Sequence, residues 1–172
     1  MDITELLSDK SSKAKEKTEA LSRAVLKMEI TISELVEYAK TAKDPIKATC
    51  IEAVEFVTQQ KPELVDRATF QFVIVMLGAK APRIKWEAAK VIGNTVQLHE
   101  KDTDEAIARL LVNTEDKGTV VRWSAAYALG EILKLKTTRN AELVPTAEAI
   151  IQREEKNSIK KIYQTALKKI GK

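Results

Sequence analysis

The sequence predicts an all-α fold, a right-handed solenoid in which antiparallel helix pairs stack one on the next. Three observations carry that expectation. First, Thr119 to Leu135 (T-V-V-R-W-S-A-A-Y-A-L-G-E-I-L-K-L) is a near copy of Pro82 to Leu98 (P-R-I-K-W-E-A-A-K-V-I-G-N-T-V-Q-L). Val121, Arg122, Trp123, Ala125, Ala126, Leu129 and Gly130 each follow Ile84, Lys85, Trp86, Ala88, Ala89, Ile92 and Gly93 by 37 residues. Second, the register extends both ways at a spacing of 38: Ile46, Lys47, Cys50 and Val54 on one side, Ile159, Lys160, Tyr163 and Leu167 on the other. A repeat of that length is one supersecondary unit that buries its apolar face only by stacking on a neighbour, and it suits two helices per unit. Third, 44% of the 172 residues are hydrophobic but only 5% aromatic, a composition in which small aliphatic side chains let helices lie flat on one another.

Taken in order, Asp2 to Leu7 makes a short helical turn, and Ser8 to Lys17 is polar enough for a loose linker or a frayed start. Residues 1–18 therefore read as an N-terminal extension and 19–172 as a repeat domain, an N-terminal half-repeat followed by four helical hairpins. The half-repeat carries Leu21, Ala24, Val25 and Met28 on one stripe. Thr31 or Ser33 caps the next helix, with Val36 three residues after Ser33 in place of the acid that would complete a capping box there. Asp44-Pro45 reads as cap and first helical residue, since proline lacks only an N–H that has no partner in the first turn. Pro62 opens the next helix, whose Leu64, Ala68, Phe72, Val75 and Met76 recur at three and four residues, and Gly78 closes it.

Pro82 opens the first strong copy. Asp102 or Thr103 caps a helix carrying Ala106, Ile107, Leu110 and Leu111, and Asp116 to Thr119 turns the chain into the second strong copy. Asn140 caps the helix through Leu143, Ala147, Ile150 and Ile151, where Pro145 is harmless if it lies in the first turn. Glu155 to Lys169 is the last helix, about the ninth. Gly93 and Gly130, each costing roughly 1 kcal/mol against alanine within a helix, stand at equivalent places and imply a tight helix crossing.

Four cations, Lys47, Lys85, Arg122 and Lys160, recur once per unit. Stacked units bring equivalent positions into line, so these form a ladder that either follows a phosphate backbone or is consumed by acids of the scaffold. Asp116 is placed to serve Arg122 and Asp44 to serve Lys47, while Ala79 holds the corresponding place before Lys85. Trp86 and Trp123 follow the ladder by one residue, and Lys90 and Tyr127 lie one turn further on the same helix edge. Two indoles beside a stripe of alanines cover the seam between units or line a groove, as an anchor for a peptide or a platform for a base. Lys156, Lys160, Lys161, Lys168, Lys169 and Lys172 make the end of the chain wholly basic within a net charge of +4, a pattern of a solvated cap or of attraction to polyanions.

Chemistry-bearing clusters are sparse. His99 is the sole histidine, at a helix end, and Cys50 the sole cysteine, on an apolar stripe where it reads as a small buried hydrophobe. Neither has a partner at metal-ligand or nucleophile-base spacing, and no glycine-rich phosphate loop or H-E-x-x-H is present. The expectation is a chain with no catalytic residue, no metal and no cofactor. No apolar run spans a membrane and the acidic start is no secretory leader, so a cytoplasmic protein is expected.

The phrase from Val121 to Gly130, hydrophobic, basic, two residues, Ala-Ala, two residues, Leu-Gly, resembles the second helix of a HEAT repeat in the armadillo-type class. That resemblance covers about four fifths of the chain. It implies a superhelix whose second helices line a concave groove, and a non-enzymatic scaffold or adaptor taking a protein or peptide partner there. The alternative is a nucleic-acid-binding module using the ladder and the basic C-terminal half. The chain also resembles, more weakly, the HEAT-like DNA glycosylases that remove alkylated bases. In that family a groove tryptophan is followed one turn later by a catalytic aspartate, where this sequence has Lys90 and Tyr127.

Overall fold

The computed structural model describes every residue from Met1 to Lys172. Ten α-helices follow one another: α1 (Ile3–Ser8), α2 (Ala14–Leu26), α3 (Ile32–Thr41), α4 (Asp44–Thr58), α5 (Arg67–Met76), α6 (Pro82–Thr95), α7 (Thr103–Asn113), α8 (Thr119–Lys134), α9 (Asn140–Arg153) and α10 (Asn157–Lys169). Three 3₁₀ turns, Pro62–Leu64, Val96–Leu98 and Glu100–Asp102, shape the connections. No helix is long and apolar enough to cross a membrane.

The even-numbered helices stack side by side, α2 on α4, α4 on α6, α6 on α8 and α8 on α10, and these are the most extensive contacts in the molecule. The odd-numbered helices pack against their even partners and touch each other sparsely. Small residues explain the difference, because Ala88, Ala89, Ala125, Ala126 and Ala128 are all buried in the even row and let the backbones approach. A row packed tightly on one side and splayed on the other curves toward the tight side. The even helices therefore line the inside of an α-solenoid of HEAT and armadillo type, with a continuous core running from Leu7 to Leu167.

Local chemistry sets the ends of the elements, in places differently from the sequence reading. The helix α2 begins at Ala14, so the expected boundary at Thr18 falls inside it; Glu16 accepts the Lys13 backbone N–H at 2.7 Å and fixes the start. A complete capping box does exist at α3. It belongs to Thr31 and Glu34, whose side chains accept each other's backbone N–H, and not to Ser33.

The helix α4 starts at Asp44 with Lys43 as the flanking residue and no side-chain cap. Pro62 begins only a 3₁₀ turn, and α5 starts five residues later, capped by Asp66, which accepts the Thr69 N–H at 2.7 Å. Its buried face is Phe70, Val73, Ile74 and Leu77, while Leu64 and Val75 are exposed. In a helix apolar nearly all round, two stripes satisfy the same periodicity, and packing chose the other one. Pro145 lies in the second turn of α9, and the helix continues through it.

Candidate groove on the inner helices

Equivalent positions do come into line. On the inner face, one row across α6, α8 and α10 is Trp86, Trp123 and Lys161; the next, beginning on α4, is Glu52, Lys90, Tyr127 and Thr165; a third is Phe56, Asn94, Glu131 and Lys169. Below Tyr127 they frame an open depression of about 430 Å³ lined by Gln59, Asn94, Gln97, Glu131 and Lys134, among others.

The two tryptophans differ in their bonds. Trp86 is half-buried and donates its indole N–H to Glu87 Oε1 at 2.7 Å, which ties it to the scaffold. Trp123 is 38% exposed, lies nearly parallel to Tyr127 with ring centres 6.1 Å apart, and its indole N–H meets no protein acceptor. Val120, one turn earlier on α8, is also exposed. The exposed aromatic surface of the inner helices is thus the Trp123–Tyr127 pair.

Tyr127 itself is held from below. Its hydroxyl donates to Asn94 Oδ1 at 2.5 Å, and Asn94 Nδ2 donates to Thr58 Oγ1 at 2.9 Å, so one chain of bonds links α8, α6 and α4. Burial pushes the Tyr127 phenol up to about 12, with Glu131 and Glu55 adding to it. The ring lies directly over Gly93, where an added Cβ would stand 2.5 Å from Tyr127 Cε1. Gly130 is looser, since a Cβ there would meet Ile162 Cγ2 at 3.4 Å. The equivalent glycines thus have different roles, and only Gly93 is required by a close approach.

Lys90 is no free cation. It sits between two buried carboxylates, 2.8 Å from Glu87 Oε2 and 3.5 Å from Glu55 Oε2. Burial raises the Glu87 carboxyl above its ordinary value against the pull of Lys90. Burial works against the charge on Lys90 too, and the two carboxylates override it and raise the ammonium. Arg83 pairs with Glu52 in the same way, at 2.5 Å.

The cation ladder runs along the edge of the solenoid at the first turns of the even helices, and its central rungs are occupied. Lys85 pairs with Asp116 at 2.8 Å and Arg122 with Glu154 at 2.9 Å. Each acid comes from the next unit, 31 or 32 residues ahead. The Asp116 carboxylate therefore serves Lys85, and Arg122 takes only the Asp116 backbone carbonyl, at 3.0 Å.

Each acid also accepts backbone N–H groups at the start of its own even helix: Gly118 for Asp116, Glu155 and Lys156 for Glu154. Burial opposes ionisation of both acids, and these bonds with their cations still hold both carboxyls below the ordinary range. Lys47 forms no ion pair, with Asp44 or otherwise, because the equivalent of Asp116 and Glu154 in the second unit is Ala79. Lys160 is unpaired as well.

Glu55, Glu87 and Asn94, which build the floor of the groove, and Glu154 in the ladder were not singled out by the sequence reading. A search for acids 31 or 32 residues after each ladder cation would have found Asp116 and Glu154. Cys50 is packed between α3, α4 and α5 against Leu35, Val36 and Phe72, and burial pushes its thiol up to about 12. His99 stacks on Phe70 with ring centres 4.3 Å apart. No group of three or more histidine, cysteine or acidic side chains is placed to hold a metal ion.

No family model matches the chain, and no curated protein matches it. Among solved structures, a designed armadillo repeat protein in complex with the peptide (KR)4 superposes with a TM-score of 0.75 at 19% identity, covering 98% of this chain and 80% of that one. A set of computationally designed armadillo repeat proteins for modular peptide recognition gives 0.72 at 19% identity, covering 97% and 80%. An engineered protein gives 0.77 at 18% identity, covering 98% and 79%. At such identities the likeness is one of fold, an armadillo-type superhelix.

Proposed function

We propose that the chain is a non-enzymatic scaffold or adaptor that takes an extended peptide segment of a protein partner along the inner helices, with Trp123 as its anchor. The observation that supports this most is the Trp123–Tyr127 pair, an exposed aromatic surface fixed in place by bonds through Asn94 to α6 and α4. A rigid aromatic at the centre of a concave face is the usual carrier of binding energy, because it is ordered before the partner arrives. Trp86 and Lys90 support the site from below, their polar atoms being bound to Glu87 and Glu55.

Charge narrows the partner. On α4, α6 and α8 four carboxylates (Glu52, Glu55, Glu87 and Glu131) face three cations (Arg83, Lys90 and Lys134), and α10 adds the unpaired Lys161 and Lys169 at the far end of the same face. A peptide whose basic side chains meet the α4–α8 part of the face, clear of α10, suits that balance. The (KR)4 peptide bound by one structural neighbour carries such side chains.

The reading is tested by titrating (KR)4, and peptides selected from a linear display library, into the protein and into Trp123→Ala. Binding is expected to weaken about tenfold or more, some 1.4 kcal/mol, on removal of Trp123, with no loss of folded stability. Failure to select any peptide, or peptides indifferent to Trp123→Ala, would reject it.

A further inference from the structure

We propose a second interaction surface, which adjoins the groove at its C-terminal end: the free face of α10 docks on the phosphodiester backbone of a nucleic-acid duplex without reading its sequence. The inner helices before it neutralise most of their cations internally, through Arg83–Glu52, Lys85–Asp116, Lys90–Glu87, Arg122–Glu154 and Lys134–Glu131. On α10 this stops. Lys156, Lys160, Lys161, Lys168, Lys169 and Lys172 take part in no ion pair anywhere in the molecule. All but the half-buried Lys160 are exposed. These six lysines with no acid among residues 156–172, set against +4 overall, leave the first 155 residues at −2.

Register shows that the charge is a built feature of this helix. The positions by which α8 faces the next unit are Ala126 and Gly130, both buried. On α10 the same positions are Gln164 and Lys168, both exposed. On the inner face, Trp123 and Glu131 give way to Lys161 and Lys169. The apolar stripe of α10, Ile159, Tyr163, Ala166 and Leu167, is buried against the solenoid.

The composition of that face selects among polyanions. Its free residues are lysines with Asn157, Ser158, Gln164 and Thr165, and none is apolar or aromatic. A membrane-surface helix needs an apolar face to insert, and this one is already used. Base stacking needs aromatic rings, and reading of bases favours the fork of arginine. Lysine with short polar side chains is the chemistry of contacts to phosphate and sugar. A helix of 13 residues spans about 20 Å at 1.5 Å per residue. A duplex presents roughly one charge every 1.7 Å over that length, the densest counterpart for a rigid row of cations. Lys136 continues the surface, lying with Lys172 at the rim of an adjoining depression of about 450 Å³.

The test is fluorescence anisotropy of a labelled duplex DNA at about 50 and 200 mM salt, with the full chain and two triple variants. One, Lys161→Gln/Lys168→Gln/Lys169→Gln, removes the proposed contacts. The other, Lys10→Gln/Lys13→Gln/Lys27→Gln, removes the same charge from exposed lysines at the opposite end. Circular dichroism confirms that both fold. The wild type is expected to bind at low salt, the α10 variant to bind about tenfold or more weakly, and its salt slope to fall by roughly 2–3, close to 0.9 per lost contact. The control is expected to stay within about twofold of wild type. Equal losses in both variants, absence of low-salt duplex binding, or binding to phosphatidylserine vesicles but not to the duplex would overturn the proposal.

Discussion

The helices α6 and α8 are near copies in sequence and do different work. Both carry a cation, a tryptophan and a glycine at the same places, yet Trp86 is bonded into the scaffold while Trp123 is open, and Gly93 lies under an aromatic ring while Gly130 does not. The cause is two substitutions: α8 has Tyr127 where α6 has Lys90, and Ser124 where α6 has the Glu87 that accepts the Trp86 indole N–H. The tyrosine reaches back over Gly93 to Asn94, and Trp123 stacks beside it. The lysine reaches back to Glu55. Repetition fixes where side chains stand, and the unit behind each one decides what it does.

The largest expected effect breaks that asymmetry at the glycines. Gly93→Ala forces a methyl group into a ring anchored at its far end, and overpacking of this kind costs about 1–3 kcal/mol. Gly130→Ala has room and gains helix propensity, about 0.5–1 kcal/mol. Urea unfolding of the two variants is expected to move midpoints in opposite directions. Loss of a similar size in both would mean that Tyr127 does not hold the position described.

Next in size is the joint between the two units. Asp116→Ala removes both the cap on Gly118 N–H and the partner of Lys85, and is expected to destabilise by about 1–2 kcal/mol. The first joint, where Lys47 has no acid ahead of it, is the natural counterpart. Ala79→Asp supplies one at the half-buried position that Asp116 and Glu154 hold in the later units, six residues before the cation of the following helix. A gain of roughly 0.5 kcal/mol is expected, as for a partly exposed pair, and it should vanish in high salt. A salt-independent gain would point to backbone effects instead.

The smallest effect concerns the residue beyond each helix, His99 after α6 and the exposed Lys136 after α8. Burial lowers the His99 imidazole below its ordinary value of 6.5, although Asp102 and Asp66 pull it upward. A base depressed in the folded state is neutral there while the unfolded chain takes up protons more readily. Its contribution is therefore complete above the unfolded value and declines as pH falls below about 6.5. Stability measured at pH 7.5 and 5.5 should fall further in wild type than in His99→Phe. An identical change in both would remove His99 from the account.

Much of this architecture was legible in the chain. The recurrence of Lys85-Trp86 and Arg122-Trp123 gives the stacking register directly, and the small residues beside them mark the inner row. What escaped were features that periodicity cannot separate. The residues of α5 are apolar on nearly every side, so the choice of Phe70 and Ile74 over Ala68 and Val75 is made by packing. The capping acids Glu34 and Asp66 lie in stretches where several residues of capping type compete.

Pairing across units was visible only as spacing. The sequence places an acid just before Arg122, but that acid turns away to Lys85 because the cap geometry at Gly118 aims its carboxylate at the preceding unit. The groove floor of Glu55, Glu87 and Asn94 comes from three separate places in the repeat and has no local signature. Trp123 was legible as a candidate, while its difference from Trp86 depends on Glu87, the next residue along.

The central claim, that successive even helices align equivalent positions on one inner face, is tested most directly by a double-mutant cycle between Gly93→Ala and Tyr127→Ala, residues on adjacent helices. If the ring lies over Gly93, the alanine is costly in wild type and close to neutral once the ring is gone, giving a coupling of about 1–3 kcal/mol. Additive costs would mean that the two positions do not meet, and the alignment of the groove would fail with them.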